Sequence, residues 1–220
     1  MPTRPAPTPE PGNERTYVIQ QHLAYITGIT SALFEPDASM TRADIAQALF
    51  NIAGQPGVTP RVIYSDVPIG HPNIAAITWA YENGLMEGFP DGSFRPSEGL
   101  TRGQLATLIV NWHGYTPVRT TTFPDALNHW ANGFIGAVET RGHIRGYPDG
   151  TFRPDAQVSR AEVVTLLNSL IGRTAYPEHV RYLDNPFTDV SPSHWAFAQI
   201  MVAAVDHYTI HYYYPGQEVD

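Results

Sequence analysis

The sequence predicts an all-α protein made of a repeated helix–loop–helix unit. Two observations carry this. First, a Thr or Ser followed at once by Arg opens an amphipathic pattern three times, at Thr41–Arg42, Thr101–Arg102 and Ser159–Arg160. Second, Phe34, Phe94 and Phe152 stand seven residues before these pairs, at spacings of 60 and 58 residues. A fixed period of that size signals a repeat architecture.

Taken in order, the chain opens on a Pro-rich stretch over 1–13 that reads as a stiff linker from a longer chain. It has no apolar centre, so a signal peptide, where there is one, is expected to lie outside it. Glu14–Thr27 reads as a helix without a recognisable start motif. It belongs to a first unit over 14–57, with a second over 64–115 and a third over 123–173. A leftover half-unit over 187–214 is expected to close the assembly beside the first unit.

Each cap-and-arginine helix has full start signals. Thr41, Thr101 and Ser159 are N-caps, and Asp44, Gln104 and Glu162 three residues on complete a capping box. Met40, Leu100 and Val158 precede the caps as hydrophobic staples. The apolar face then runs, in the third unit, through Val163, Leu166, Leu167 and Leu170. Gly54, Gly114 and Gly172 supply stops.

The other half of the unit has an aromatic residue, an Asp two positions later, a turn and a helix. Tyr64 and Asp66, Phe123 and Asp125, and Phe187 and Asp189 fill these places. The Asp is expected to hold the turn before its own helix. "GFPDGSF" at 88–94 and "GYPDGTF" at 146–152 join the halves through Pro-Asp-Gly turns. The first unit has "GITSALF" at 28–34, so its loop must differ.

The chain has 220 residues, a net charge of −8, no cysteine and no lysine. Disulfides, thiolate metal sites, cysteine nucleophiles and lysine Schiff bases are thereby excluded. The acidic balance argues against a nucleic-acid partner, and no apolar run reaches the length of a membrane span. An anion, if bound, should sit in a local pocket.

The arginines point to such pockets. A cation one residue inside a helix start opposes the macrodipole by roughly 0.3–1 kcal/mol. With the free N–H groups of the first turn it would make an anion site, and guanidinium suits a carboxylate. The competing reading is an internal salt bridge to a box or loop acid.

In order along the chain, aromatic-x-Asp-Val, His-Trp-Ala, a helix, Gly-Tyr-Pro-Asp-Gly-Thr-Phe-x-Pro and Ser-Arg-Ala-Glu resemble the S-layer homology (SLH) domain over about residues 28–205. The third unit fits best; the second carries "HPN" at 71–73 and "TRGQ" at 101–104. The resemblance implies repeats with pseudo-threefold symmetry around a central helical bundle. It also implies non-covalent anchoring of a secreted protein at the cell surface, by binding a secondary cell-wall polysaccharide that carries pyruvylated N-acetylmannosamine. By motif match, Arg42, Arg102 and Arg160 contact the acidic sugar in grooves between units. A protein-interaction module in surface-layer assembly is the alternative.

Around that ligand, Gly92 and Gly150 can take positive φ and let backbone approach closely. Asp91 and Asp149 either accept bonds from sugar hydroxyls or serve the turn alone, and Phe89 and Tyr147 are expected as groove walls. Trp130 and Trp195 read as core anchors more than sugar platforms. His207 and His211 have metal-pair spacing only if helical, and "HYTIHYYY" argues against helix. No cofactor or metal site is expected. No nucleophile motif, phosphate loop or metal triad is present, so the module is expected not to be an enzyme.

Overall fold

A computed structural model describes residues 16–176 and 180–213. The linker over 1–13 lies outside the described residues, as does residue 214 at the end of the half-unit. The chain is mostly helical. The elements are β1 (Thr16–His22), α1 (Arg42–Ile52), α2 (Ile74–Glu82), α3 (Arg102–His113), α4 (Asn132–Thr140), α5 (Arg160–Leu170), α6 (Phe197–Ala204) and β2 (His207–Tyr213), with a 3-10 turn at Pro124–Ala126. Among the described residues no helix is long and apolar enough to cross a membrane.

The cap chemistry works as its residue types dictate. Thr101 Oγ1 accepts from Gln104 N while Gln104 Oε1 accepts from Thr101 N, and Ser159 and Glu162 repeat the exchange. In α1 only half the box forms: Thr41 caps Asp44 N without the return bond. The Asp side chain is one methylene shorter than Gln or Glu, which accounts for the missing reach. Gly54, Gly114 and Gly172 all take positive φ at the helix ends.

The staple residues hold the centre. Met40 N donates to Val158 O at 3.0 Å, Val158 N to Leu100 O at 2.9 Å, and Leu100 N to Met40 O at 2.7 Å. This closed ring of backbone bonds is buried, with all three side chains at 1 % exposure or less. Around it the helices pack in pairs, α1 on α2, α3 on α4 and α5 on α6.

Asp66, Asp125 and Asp189 do more than hold a local turn. Each carboxylate reaches a loop exit far along the chain and accepts two consecutive N–H groups. Asp66 takes Phe94 and Arg95 at 2.7 Å each. Asp125 takes Phe152 at 3.0 Å and Arg153 at 2.7 Å. Asp189 takes Phe34 at 2.9 Å and Glu35 at 2.7 Å. Arg95, Arg153 and Glu35 all have φ between 56° and 58°. That left-handed conformation is uncommon outside glycine, and at these three positions the carboxylate holds it from outside the loop. The first loop differs inside, where Thr30 Oγ1 accepts from Ala32 and Leu33 N, yet its exit is clamped like the others. Residues 187–189 thus touch the first unit directly, and the rings of Phe34 and Phe187 lie 5.3 Å apart.

The expected helix over Glu14–Thr27 is a strand from Thr16 to His22, antiparallel to β2 with Thr16 opposite Tyr213 and His22 opposite His207. Tyr-Val-Ile has strand propensity, but its partner lies at the far end of the chain, out of reach of local reading. His207 and His211 consequently stand in a strand, without the i, i+4 geometry of a helical metal pair. At the same end, buried Asn168 accepts from Tyr25 Oη at 2.9 Å and donates to Gln199 O at 2.9 Å. Burial raises the Tyr25 hydroxyl pKa, opposed in part by Arg173, so the phenol remains a donor.

Candidate functional site

The expected anion site at each helix start is occupied by the protein itself. Arg42 N donates to Glu98 O at 2.9 Å and Ala43 N to Pro96 O at 3.0 Å, and the third N–H goes to the cap. Arg102 and Gly103 do the same to Ala156 and Pro154, and Arg160 and Ala161 to Ala38 and Pro36. The first turns therefore have no spare N–H for a ligand. Each helix start is stitched to the loop of another unit through the carbonyl of its Pro.

The guanidinium groups follow the same cycle. Arg42, Arg102 and Arg160 are 5 %, 8 % and 2 % exposed. Arg42 Nε donates to Phe94 O and Nη2 to Glu87 O, both at 2.7 Å. Arg102 reaches Phe152 O at 2.7 Å and Arg145 O at 2.9 Å. Arg160 reaches Phe34 O at 2.8 Å and Thr27 O at 2.7 Å. Each arginine thus clamps both ends of one loop, and its Nε–Nη2 edge cannot grip a ligand carboxylate. Burial lowers the pKa of Arg42 and Arg160. Among the described residues the salt-bridge alternative is met only at Arg160, whose Nη1 stands 3.8 Å from Asp44 Oδ2. Carbonyl dipoles do most of the balancing, an option sequence reading did not weigh.

Aromatic rings flank these cations. The Arg42 guanidinium carbon lies 4.9 Å from the Phe89 ring centre and 4.5 Å from that of Phe94. Arg102 lies 4.7 Å from both Tyr147 and Phe152. Arg95 and Arg153 cover the outer side of Phe89 and Tyr147 at 3.9 and 4.1 Å. Both half-buried aromatics hold cations on their faces.

The loop acids serve their turns. Asp91 accepts from Ser93 Oγ at 2.5 Å, Ser93 N at 2.9 Å and Arg95 Nη2 at 3.0 Å. Asp149 accepts from Thr151 Oγ1 and Arg153 Nη2 at 2.6 Å each. The hydroxyl bonds, with the backbone and arginine bonds, hold both carboxyls down at about 2. Backbone bonds to Asp125 and Asp189 outweigh their desolvation and lower those as well. Gly92 and Gly150 take φ of 79° and 81° with open space where a Cβ would stand. A different glycine is sterically required: a Cβ at Gly146 would strike the Phe123 ring, and one at Gly88 the Tyr64 ring.

These depressed carboxyls set a pH dependence. Their stabilisation is full above the unfolded Asp value of about 3.9; it is lost as pH falls through about 2 for Asp91 and Asp149 and through their own lowered values for Asp125 and Asp189. The melting temperature is expected to be level from pH 7 to about 4.5 and to drop steeply between pH 4 and 2. A flat profile down to pH 2, followed by circular dichroism, would count against the clamps.

Beside Arg42 opens a cleft of about 670 Å³, lined among others by Glu87, Phe89, Gln104, Asn111, Trp130 and Phe134. Trp130 and Trp195 were expected in the core but are 61 % and 63 % exposed. They stand before α4 and α6, where the preceding histidines already serve the helix start. His129 Nδ1 accepts from Ala131 N, and His194 Nδ1 from Ala196 N, both at 3.1 Å. Freed from packing, Trp130 becomes a wall of the cleft. Its exposure beside an anchored histidine is the feature that sequence reading missed.

A cyclic set of helix starts, each clamping a loop of another unit, defines a closed repeat module with a cleft beside one of its arginines. Residues 63–106 and 122–164 each match the S-layer homology domain, and the chain belongs to that family. It is 34 % identical over 220 residues to Cell surface glycoprotein 1 of Acetivibrio thermocellus, covering 92 % of this chain and 9 % of the relative. With the Cellulosome-anchoring protein of the same organism it shares 32 % over 198 residues, 85 % of this chain and 43 % of the relative. With S-layer protein EA1 of Bacillus anthracis it shares 33 % over 112 residues, 48 % and 12 % respectively. The chain therefore spans less than half the length of each of these relatives.

Proposed function

We propose that this chain is a non-catalytic module that anchors a secreted surface protein to the bacterial cell wall. It does so by binding an acidic wall polysaccharide, of the pyruvylated N-acetylmannosamine type implied by the family resemblance. The observation that carries this reading is the cleft beside Arg42, which an exposed indole, Trp130, and a buried guanidinium both line. A flat apolar ring with a nearby cation suits a sugar face bearing a negative group. The names of the relatives, a cellulosome-anchoring protein and surface-layer proteins, support the anchoring role.

In this reading Arg42, Arg102 and Arg160 shape the grooves and lend positive potential. Arg42 offers ligand its outer edge, since Nη1 has no protein partner among the described residues. Phe89 and Tyr147 keep the arginines in place. Asp91, Gly92, Asp149 and Gly150 hold the loop shape that the ligand meets. The division into three units and a closing half-unit, with pseudo-threefold symmetry, is part of the proposal, supported by the closed hydrogen-bond ring.

Trp130→Ala is expected to weaken co-sedimentation with purified wall sacculi by about tenfold, the loss of one stacked aromatic of roughly 1.4 kcal/mol. Its melting temperature should stay within experimental error, since the ring is exposed. Sacculi stripped of their non-peptidoglycan polymer should no longer retain the wild-type chain. Retention after stripping would favour a peptidoglycan or protein partner over the glycan.

A further inference from the structure

Away from the repeat clefts, the sheet formed by β1 and β2 has an edge that nothing guards. We infer that the free edge of β1 docks a second copy of this chain, whose own β1 adds to it in antiparallel fashion and makes a four-stranded sheet. This stands independently of the glycan reading above. The sheet has two strands of seven residues each, paired along one edge of each strand. A pair of that size is marginal unless more strands or packing support it. β2 is flanked by the segment after α5, since Tyr176, Val180 and Leu183 line a small pocket together with His207 and Tyr208. Over Thr16–Gln21, by contrast, the ladder to β2 is the only backbone pairing of β1 among the described residues. Ile19, Gln20 and Gln21 are exposed, Ile19 at 55 %.

Sheets ordinarily guard a free edge with a charge, a proline, a bulge or a very short strand. β1 uses none of these. TYVIQQH contains no Asp, Glu, Lys, Arg or Pro, and its register runs unbroken from Thr16 to His22. Such an edge is a template for strand addition. Charge selects the second copy as the strand that adds. The chain carries a net charge of −8, so two copies repel over most of their surface. β1 is an uncharged strip in that field. Set antiparallel to itself about a two-fold axis, it opposes no like charges. A charged strand from another protein would find no complement on it. The pairing also closes: each β1 satisfies the other, and the outer strands are the two flanked β2 strands. Association therefore stops at two copies instead of growing into a fibre.

The test follows the full chain by sedimentation velocity and light scattering over a concentration series, with amide exchange on the same samples. Wild type should pass from the monomer mass to twice that mass, and the amides of Thr16–Gln21 should become more protected as concentration rises. Ile19→Lys and Gln21→Lys each place a cation on the edge at an exposed position. Both should weaken self-association by about tenfold or more while melting with the wild type. Ile69→Lys, at an equally exposed apolar position in the turn before α2, should associate as wild type does. A wild-type chain that keeps the monomer mass up to about 1 mM overturns the inference. So does a dimer that survives both β1 variants, or one that is lost in Tyr208→Lys alone, which would place the contact on β2. Protection of Thr16–Gln21 that is strong at every concentration also overturns it, because the edge is then taken by another part of the same chain.

Discussion

Arg160→Ala is expected to lower unfolding free energy by about 4 kcal/mol, from two charge-assisted bonds of roughly 1.5–3 kcal/mol each. Arg160 is the largest fully buried side chain among the described residues. Removing it leaves Phe34 O and Thr27 O, the two ends of the first loop, without their donor. Arg160→Lys should recover less than half of the loss, because one ammonium cannot span two carbonyls held by a planar fork. Urea denaturation of the three proteins measures this directly. A loss below about 1 kcal/mol for the Ala variant would mean that the carbonyls find water and that the clamp is dispensable. The functional consequence is practical. Impaired wall binding in any arginine-to-alanine variant reports folding first, so the ligand question is better put to Trp130.

The second large effect is expected at Asp189. Asp189→Ala removes the carboxylate that receives Phe34 and Glu35 N and should cost about 3 kcal/mol. It also releases Glu35 from its positive φ, so the exit of the first loop relaxes. Amide exchange should rise at Phe34 and Glu35 and spread to Met40, where the first unit joins the central ring. Asp189→Asn, which keeps an acceptor oxygen, should lose about half as much. If exchange at Phe34 and Glu35 were unaltered in the Ala variant, the half-unit would not be closing the assembly in solution.

Much of this molecule is local and was legible in its residues. Caps, box residues and helix-ending glycines act within one turn, and the positive φ at Gly92 and Gly150 follows from Pro-Asp-Gly. The resemblance that led to the SLH family was carried by the same short motifs. The candidate site was less legible. Phe89 and Tyr147 do flank the arginines, but they hold cations in place, and the loop acids turn inward to Ser93 and Thr151.

The sequence by itself determined the repeat, its helices and the three positively charged helix starts, because these depend on residues within a few positions of one another. Only the tertiary structure decided what those starts bind. Arg160 meets a carbonyl 126 residues away, Asp189 a loop 155 residues away, and β1 a strand from the other end of the chain. Local spacing carries no information about such partners. A buried cation takes whatever acceptors the closed cycle delivers, and here the cycle delivers backbone carbonyls. That is why the arginines became structural clamps and left the indole to line the open cleft.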